Sequence, residues 1–152
     1  MQVSQDRERR TMAYLDWNPA YDTGVAGIDY EHHQLVKILN EINDMIVKGG
    51  ETRQISDFLA EFHVLATAHF ALEEKIMRDE NYPGLAGRRQ THYRLLDQVR
   101  EIMDAHDAGA YGPGESLPAT LKEWLSEAIG IDVKLFAEIN SARLRRWGLS
   151  RT

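Results

Sequence analysis

Phe62-His63-Val64-Leu65-Ala66-Thr67-Ala68-His69-Phe70-Ala71-Leu72-Glu73-Glu74-Lys75-Ile76 repeats apolar residues at steps of three and four. The stripe runs back through Phe58 and Ile55. It predicts an amphipathic helix that begins about Thr52 and ends near Asn81-Tyr82-Pro83-Gly84. Two members of the stripe are not apolar. His69 and Glu73 stand four residues apart, about 40° around a helix, and so project to the same side. Burying an imidazole and a carboxylate together is costly unless something inside binds them.

Three further stripes flank this one. Upstream, Ile28, His32, Leu35, Leu39, Ile42 and Ile46 form a helix stopped by Gly49-Gly50. Downstream, Arg88, His92, Leu95, Val99 and Ile102 form a helix that fades by Gly109, and a loop rich in Gly and Pro follows from Gly109 to Pro118. Last come Leu121, Trp124, Ala128, Asp132, Leu135, Ile139 and Ala142. No segment sustains strand alternation. The expected fold is all-α, an antiparallel up-down four-helix bundle. Residues 13–27, with Trp17, Pro19, Tyr21 and two glycines, suit an ordered non-helical arm across it. The expected organisation is a flexible leader at 1–12, the bundle at 13–147 and a short tail at 148–152.

Composition narrows the function classes. The 152 residues fit one domain with a real core, and a net charge of -6 argues against nucleic acid as a partner. Arg143, Arg145 and Arg146 around Trp147 read as a solvated helix end, favourable to the helix dipole. An acidic protein partner there is the alternative. The absence of cysteine excludes disulfides, zinc-thiolate sites, iron-sulfur clusters and thiol catalysis. No apolar run approaches the roughly 20 residues that span a bilayer, and the charged start is not a secretory signal. A cytoplasmic protein without membrane attachment is expected.

His-x-x-x-Glu alone is a weak signal, common on helix surfaces. Here His32, His69 and His92 fall on the inward stripes of three different helices, and Glu73 and Asp132 join them. The candidate metal ligands are therefore His32, His69, Glu73, His92 and Asp132. Imidazole and carboxylate without thiolate favour iron, manganese or zinc over copper(I). Glu74 is a candidate acceptor for orienting a ligand histidine. His33 and His63 lie off the inward stripes, and His106 sits near a helix end beside Asp104 and Asp107.

From Trp17 to Phe136 the chain resembles the bacterial hemerythrin family. The resemblance is carried by Trp17, Gly27-Ile28-Asp29-x-x-His32-x-x-Leu35, Asn40, His69-Phe70-x-x-Glu73-Glu74-x-x-Met77, Tyr82-Pro83, His92 and Trp124-Leu125. It implies a four-helix bundle holding an oxo- or hydroxo-bridged pair of non-haem irons that binds dioxygen reversibly. Five histidines and two bridging carboxylates ligate such a pair. By position it implies that His32 and His69 ligate one iron and that Glu73 bridges. His92 matches the second histidine of the family's His-x-x-x-His pair.

The chain departs from that pattern twice. Arg88 occupies the first position of the His-x-x-x-His pair. Ala128-Ile129 replaces the family's His-Ile, and the aspartate follows one residue early, at Asp132. Guanidinium has no lone pair to give a metal. Glu127 lies about 100° from the centre of its helix stripe, so Ala128 holds the inward place. One iron position is thus expected to be depleted, with Arg88 paired to Glu127 or Asp132 in place of metal; the alternative is that Arg88 extends outward and water fills the vacant positions. The expected function is non-haem iron binding, with dioxygen or another small diatomic as ligand, in a carrier, store or sensor rather than an enzyme. The alternatives are an altered or mononuclear site with peroxide or nitric oxide chemistry, and a metal-poor interaction module.

Overall fold

In a computed structural model, which describes residues 14–112, 114 and 116–148, four α-helices make up most of the described residues: α1 (Ala26–Val47), α2 (Thr52–Asp79), α3 (Leu85–Asp107) and α4 (Ser116–Arg146). Each helix packs against its successor, and α4 closes the ring against α1. Short connections force neighbours to run antiparallel, which gives the expected up-down bundle. The leader at 1–12 and residues 149–152 of the tail lie outside the described residues.

Local chemistry sets the helix ends. Glu51 starts α2 with a reciprocal cap, in which its backbone N–H donates to the Gln54 side chain at 3.0 Å. Asn81 ends the same helix in the left-handed region at φ 53°, with Tyr82 N–H donating to Met77 O at 2.8 Å. Gly109 does the same after α3 at φ 75°, where a side chain would be strained. The expected loop at 109–118 is shorter than its composition implied, because α4 already begins at Ser116. Pro118 sits in the first turn, where its missing N–H would have had no helical partner.

The arm is ordered as expected but not wholly non-helical, since Pro19–Tyr21 make a 3-10 turn and α1 already takes in Ala26 and Gly27. Leu15 N–H donates to Asn40 Oδ1 at 2.8 Å, and Asn40 Nδ2 donates back to Leu15 O at 3.1 Å, so one α1 side chain clamps both backbone groups of Leu15. Thr23 N–H and its hydroxyl both donate to Asp29 Oδ1, at 2.9 and 2.8 Å. Trp17 stacks on His33 with ring centroids 3.7 Å apart. The arm therefore covers the face of α1 that carries Asp29, His33 and Asn40.

The core is divided. A large apolar cluster that includes Leu35, Leu39, Phe62, Phe70, Val99, Leu121 and Trp124 fills the half towards the α1–α2 and α3–α4 connections. A small one of Ile28, Met77, Leu135, Phe136 and Ile139 fills the opposite half. Between them lies a buried polar layer: His32, His69, Glu73, His92 and Asp132, each at most 3 % exposed.

Candidate metal centre

Every candidate ligand comes from the middle of a helix. His32 is one turn beyond Ile28 on α1, and His69 and Glu73 are successive turns of α2. His92 lies one turn before Leu95 and Leu96 on α3, and Asp132 one turn beyond Ala128 on α4. The same periodicity that builds the core therefore carries them inward. Asp132 reaches the layer although it comes one residue early, because a four-residue step from Ala128 keeps to one face.

Donor atoms converge at the α1–α2–α4 side of the layer. His32 Nε2 lies 2.7 Å from Asp132 Oδ2, His69 Nε2 lies 2.8 Å from the same oxygen, and the two nitrogens are 3.2 Å apart. Glu73 Oε1 is 2.7 Å from His69 Nε2, yet this buried oxygen receives no hydrogen bond. The contact is close but too oblique to be one. His32, His69, Glu73 and Asp132 each offer an atom within 4.8 Å of all the others. His92 joins them only through Glu73, with Nε2 2.9 Å from Oε2.

Outer carboxylates fix the rings. Glu31 Oε1 accepts from His69 Nδ1 at 2.9 Å, and Glu74 Oε2 accepts from His92 Nδ1 at 3.0 Å. With a proton on Nδ1, a neutral His69 turns its Nε2 lone pair inward, whereas His92 faces a carboxylate at each nitrogen and, when protonated, donates from both. His32 Nδ1 is buried without a partner. Glu74 takes the orienting place expected of it, and it also accepts from Arg89 Nε at 2.9 Å. Glu31 was not foreseen. Its signal was only adjacency to His32, and its partner lies on the next helix.

Such a cluster is electron-rich and calls for cations. Burial alone would lower the His69 pKa, but hydrogen bonds to Asp132 and Glu31 and the charge of nearby Glu73 raise it well above the usual imidazole value. For His92, burial is likewise outweighed by Glu73 and Glu74, which raise it. Burial and the neighbouring Asp132 push Glu73 up. Asp132 goes the other way: burial opposes its charge, but hydrogen bonds with Glu73, His32 and His69 hold it below the ordinary carboxylate range. Protons and metal ions would compete for these positions.

The α3–α4 side is different. Ala128 is buried and places a methyl group on the inward stripe. Arg88, half-buried one turn before His92, forms no ion pair with any described carboxylate. The expected Arg88–carboxylate bridge is therefore absent. Glu127 is exposed and pairs with Arg94 at 3.2 Å, while Asp132 Oδ2 is occupied by two imidazoles. His33 is exposed, as its position off the inward stripe implied. His106, by contrast, is buried, with Nε2 3.1 Å from Thr52 O.

Residues 23–138 match the family model described as the hemerythrin HHE cation binding domain. The chain belongs to the hemerythrin family. Curated relatives of this hemerythrin include a bacteriohemerythrin of Pseudomonas aeruginosa strain PAO1, 30 % identical over 80 % of this chain and 78 % of the relative. A bacteriohemerythrin of Stenotrophomonas maltophilia is 25 % identical over 90 % and 88 %. A myohemerythrin of Riftia pachyptila is 27 % identical over 78 % and 88 %. The hemerythrin match spans all four helices and the polar layer. Among the described residues of this hemerythrin, no helix is long and apolar enough to cross a membrane.

Proposed function

We propose that this hemerythrin-family chain binds non-haem iron in the polar layer and takes dioxygen, or another small diatomic, as its ligand. Its role would be that of a carrier, store or sensor rather than an enzyme. The observation that carries the reading is the convergence of two imidazole nitrogens and two carboxylate oxygens inside an otherwise apolar bundle. The residues that would hold the metal are His32, His69, Glu73 and Asp132, with His92 adjoining. The donor set fits iron, being nitrogen and oxygen without thiolate. The separations fit as well: for bonds of about 2.1 Å, donors at right angles stand about 3 Å apart. The oblique Glu73–His69 contact is what two ligands of one ion would make.

Iron, when bound, supplies a reversible change of oxidation state and coordination positions open to a small ligand. The rest falls to the protein. Glu31 and Glu74 orient the imidazoles and raise their basicity. Phe62, Phe70 and Trp124 on one side, and Ile28, Met77 and Phe136 on the other, wall the layer with apolar surface and exclude water. Trp124 is held in that wall by its Nε1–H, which donates to Leu95 O at 2.9 Å. Names of relatives that include bacteriohemerythrins and a myohemerythrin support the same reading.

The test is to load the reduced chain with Fe(II) without oxygen, remove unbound metal and then admit dioxygen. A visible absorption band that appears and reverses on deoxygenation is expected. No retained iron would remove the iron reading. Retained iron with no reversible band would remove the dioxygen reading alone.

A further inference from the structure

Resting on that iron-binding reading, we propose that each chain holds one metal ion rather than a bridged pair, ligated by His32, His69, Glu73 and Asp132, with His92 positioning Glu73. The residues present fit one ion and do not fit two. His32 Nε2, His69 Nε2 and Asp132 Oδ2 form a triangle with edges of 3.2, 2.7 and 2.8 Å. That is the shape of one face of an octahedron, the arrangement of two histidines and one carboxylate that suits mononuclear non-haem iron. Glu73 Oε1 adds a fourth donor beside His69. In a six-coordinate ion, two places then remain for small ligands.

A carboxylate that bridges two metals through both of its oxygens offers one oxygen to each. Asp132 instead turns a single oxygen, Oδ2, to both histidines. Only Glu73 divides its oxygens, with Oε1 towards His69 and Oε2 towards His92. A second ion would therefore have His92 Nε2 and Glu73 Oε2 as its contacting pair and no further histidine beside them, since Arg88 and Ala128 stand at those places. Ala128 offers a methyl group where a nitrogen would be needed. Arg88, on the same helix face one turn away, is a permanent cation that pairs with no carboxylate among the described residues. That charge opposes a second cation.

His92 is built to hold something still. Its ring stacks on Phe70 at 4.3 Å and 13°, and Glu74 anchors its Nδ1 from outside. The side chain that it holds is Glu73, whose Oε2 accepts from Nε2 while Oε1 stays free for the metal. His92 is thus a positioning residue.

The experiment counts metal. The unaltered chain, loaded anaerobically with Fe(II), desalted and then oxidised, is expected to carry one iron and to give the paramagnetic resonance of an isolated high-spin ferric ion. Two irons with a magnetically coupled, resonance-silent ground state would overturn the proposal while leaving the iron-binding reading intact. No iron in a folded chain would remove both. Arg88→His combined with Ala128→His is expected to raise the count to two and quench the resonance. A folded double variant that stays at one would overturn the argument from missing donors. Should that variant not fold, His92 decides the matter. His92→Gln keeps an N–H for Glu73 and should retain one iron, whereas His92→Leu should retain one iron bound about tenfold more weakly. Loss of iron from His92→Gln, matching the loss expected of His32→Gln, would make His92 a ligand and overturn the assignment.

Discussion

The two ends of the polar layer began from the same scaffold and differ in what their helices present. At the α1–α2–α4 end, three side chains from three helices aim donor atoms at one point, within 3.2 Å of one another. At the α3–α4 end a single histidine shares the layer's flank with a methyl group and with an arginine that pairs with no carboxylate among the described residues. The backbone is equally helical at both. The difference teaches that a bundle can keep its fold while one half of its centre loses its donors, because packing of the stripe needs only a side chain that fits. Ala128 satisfies the core and leaves the chemistry unmet.

Substitutions at the two ends should therefore have unequal effects. The largest is expected from Asp132→Ala, which removes the oxygen shared by two imidazoles. Fe(II) affinity, measured by competition with a chromophoric chelator, should fall by more than the roughly 100-fold that losing an outer partner can cost. An affinity unchanged by this substitution would break the comparison outright.

Glu31 and Glu74 sharpen it, since they make the same contact at 2.9 and 3.0 Å to histidines of opposite ends. Glu31→Gln is expected to weaken iron binding by about 10- to 100-fold. Glu74→Gln should cost less than about tenfold, because its histidine acts through Glu73. Equal losses would mean that both ends bind metal.

Acid and base should separate the loaded and empty forms. In the empty chain the His69 pKa is raised, so the stability it contributes is full below its unfolded value of about 6.5 and is lost as pH rises through the folded value. Asp132, held low, contributes above its unfolded value of about 3.9 and loses that contribution only in stronger acid. The thermal midpoint of the empty chain should therefore decline on the alkaline side. In the loaded chain protons displace metal, so its midpoint should decline on the acid side. Parallel declines in both forms would show that metal does not occupy these groups.

The smallest effect is expected from Asn40→Ala, which frees the arm from α1. The loss of two partly buried hydrogen bonds should cost about 1–2 kcal/mol in chemical denaturation. The iron count should stay the same, because the arm covers the His32 end without donating to it.

Much of this was legible in the chain. Apolar periodicity located all four helices, since Phe62, Ala66 and His69 can share a face only in a helix. The same periodicity placed His32, His69, Glu73, His92 and Asp132 in one layer. What spacing does not encode is where a long side chain ends. Arg88 was placed correctly along α3, but its pairing depended on which carboxylates were already engaged, and that is a property of neighbouring helices. Glu31 was missed for the same reason. His106 looked peripheral beside Asp104 and Asp107, yet packing of α3 against the start of α2 buries it. The Gly- and Pro-rich loop lost its last residues to α4 because a proline in a first helical turn costs nothing in hydrogen bonds.

The division of the apolar interior has a mechanical consequence. Ile28, Met77, Leu135, Phe136 and Ile139 form a satellite too small to be a cooperative unit of any strength, and the layer of titratable groups separates it from the main cluster. An ion bound there would be a rivet, fastening α1, α2 and α4 at the level where greasy contact is interrupted. Without it, the outer third of the bundle should open and close on its own, ahead of global unfolding. Amide exchange around Met77 and Phe136 would then report iron occupancy without any chromophore. Filling and emptying the site would set the stiffness of one end of the molecule, with the other end left unchanged.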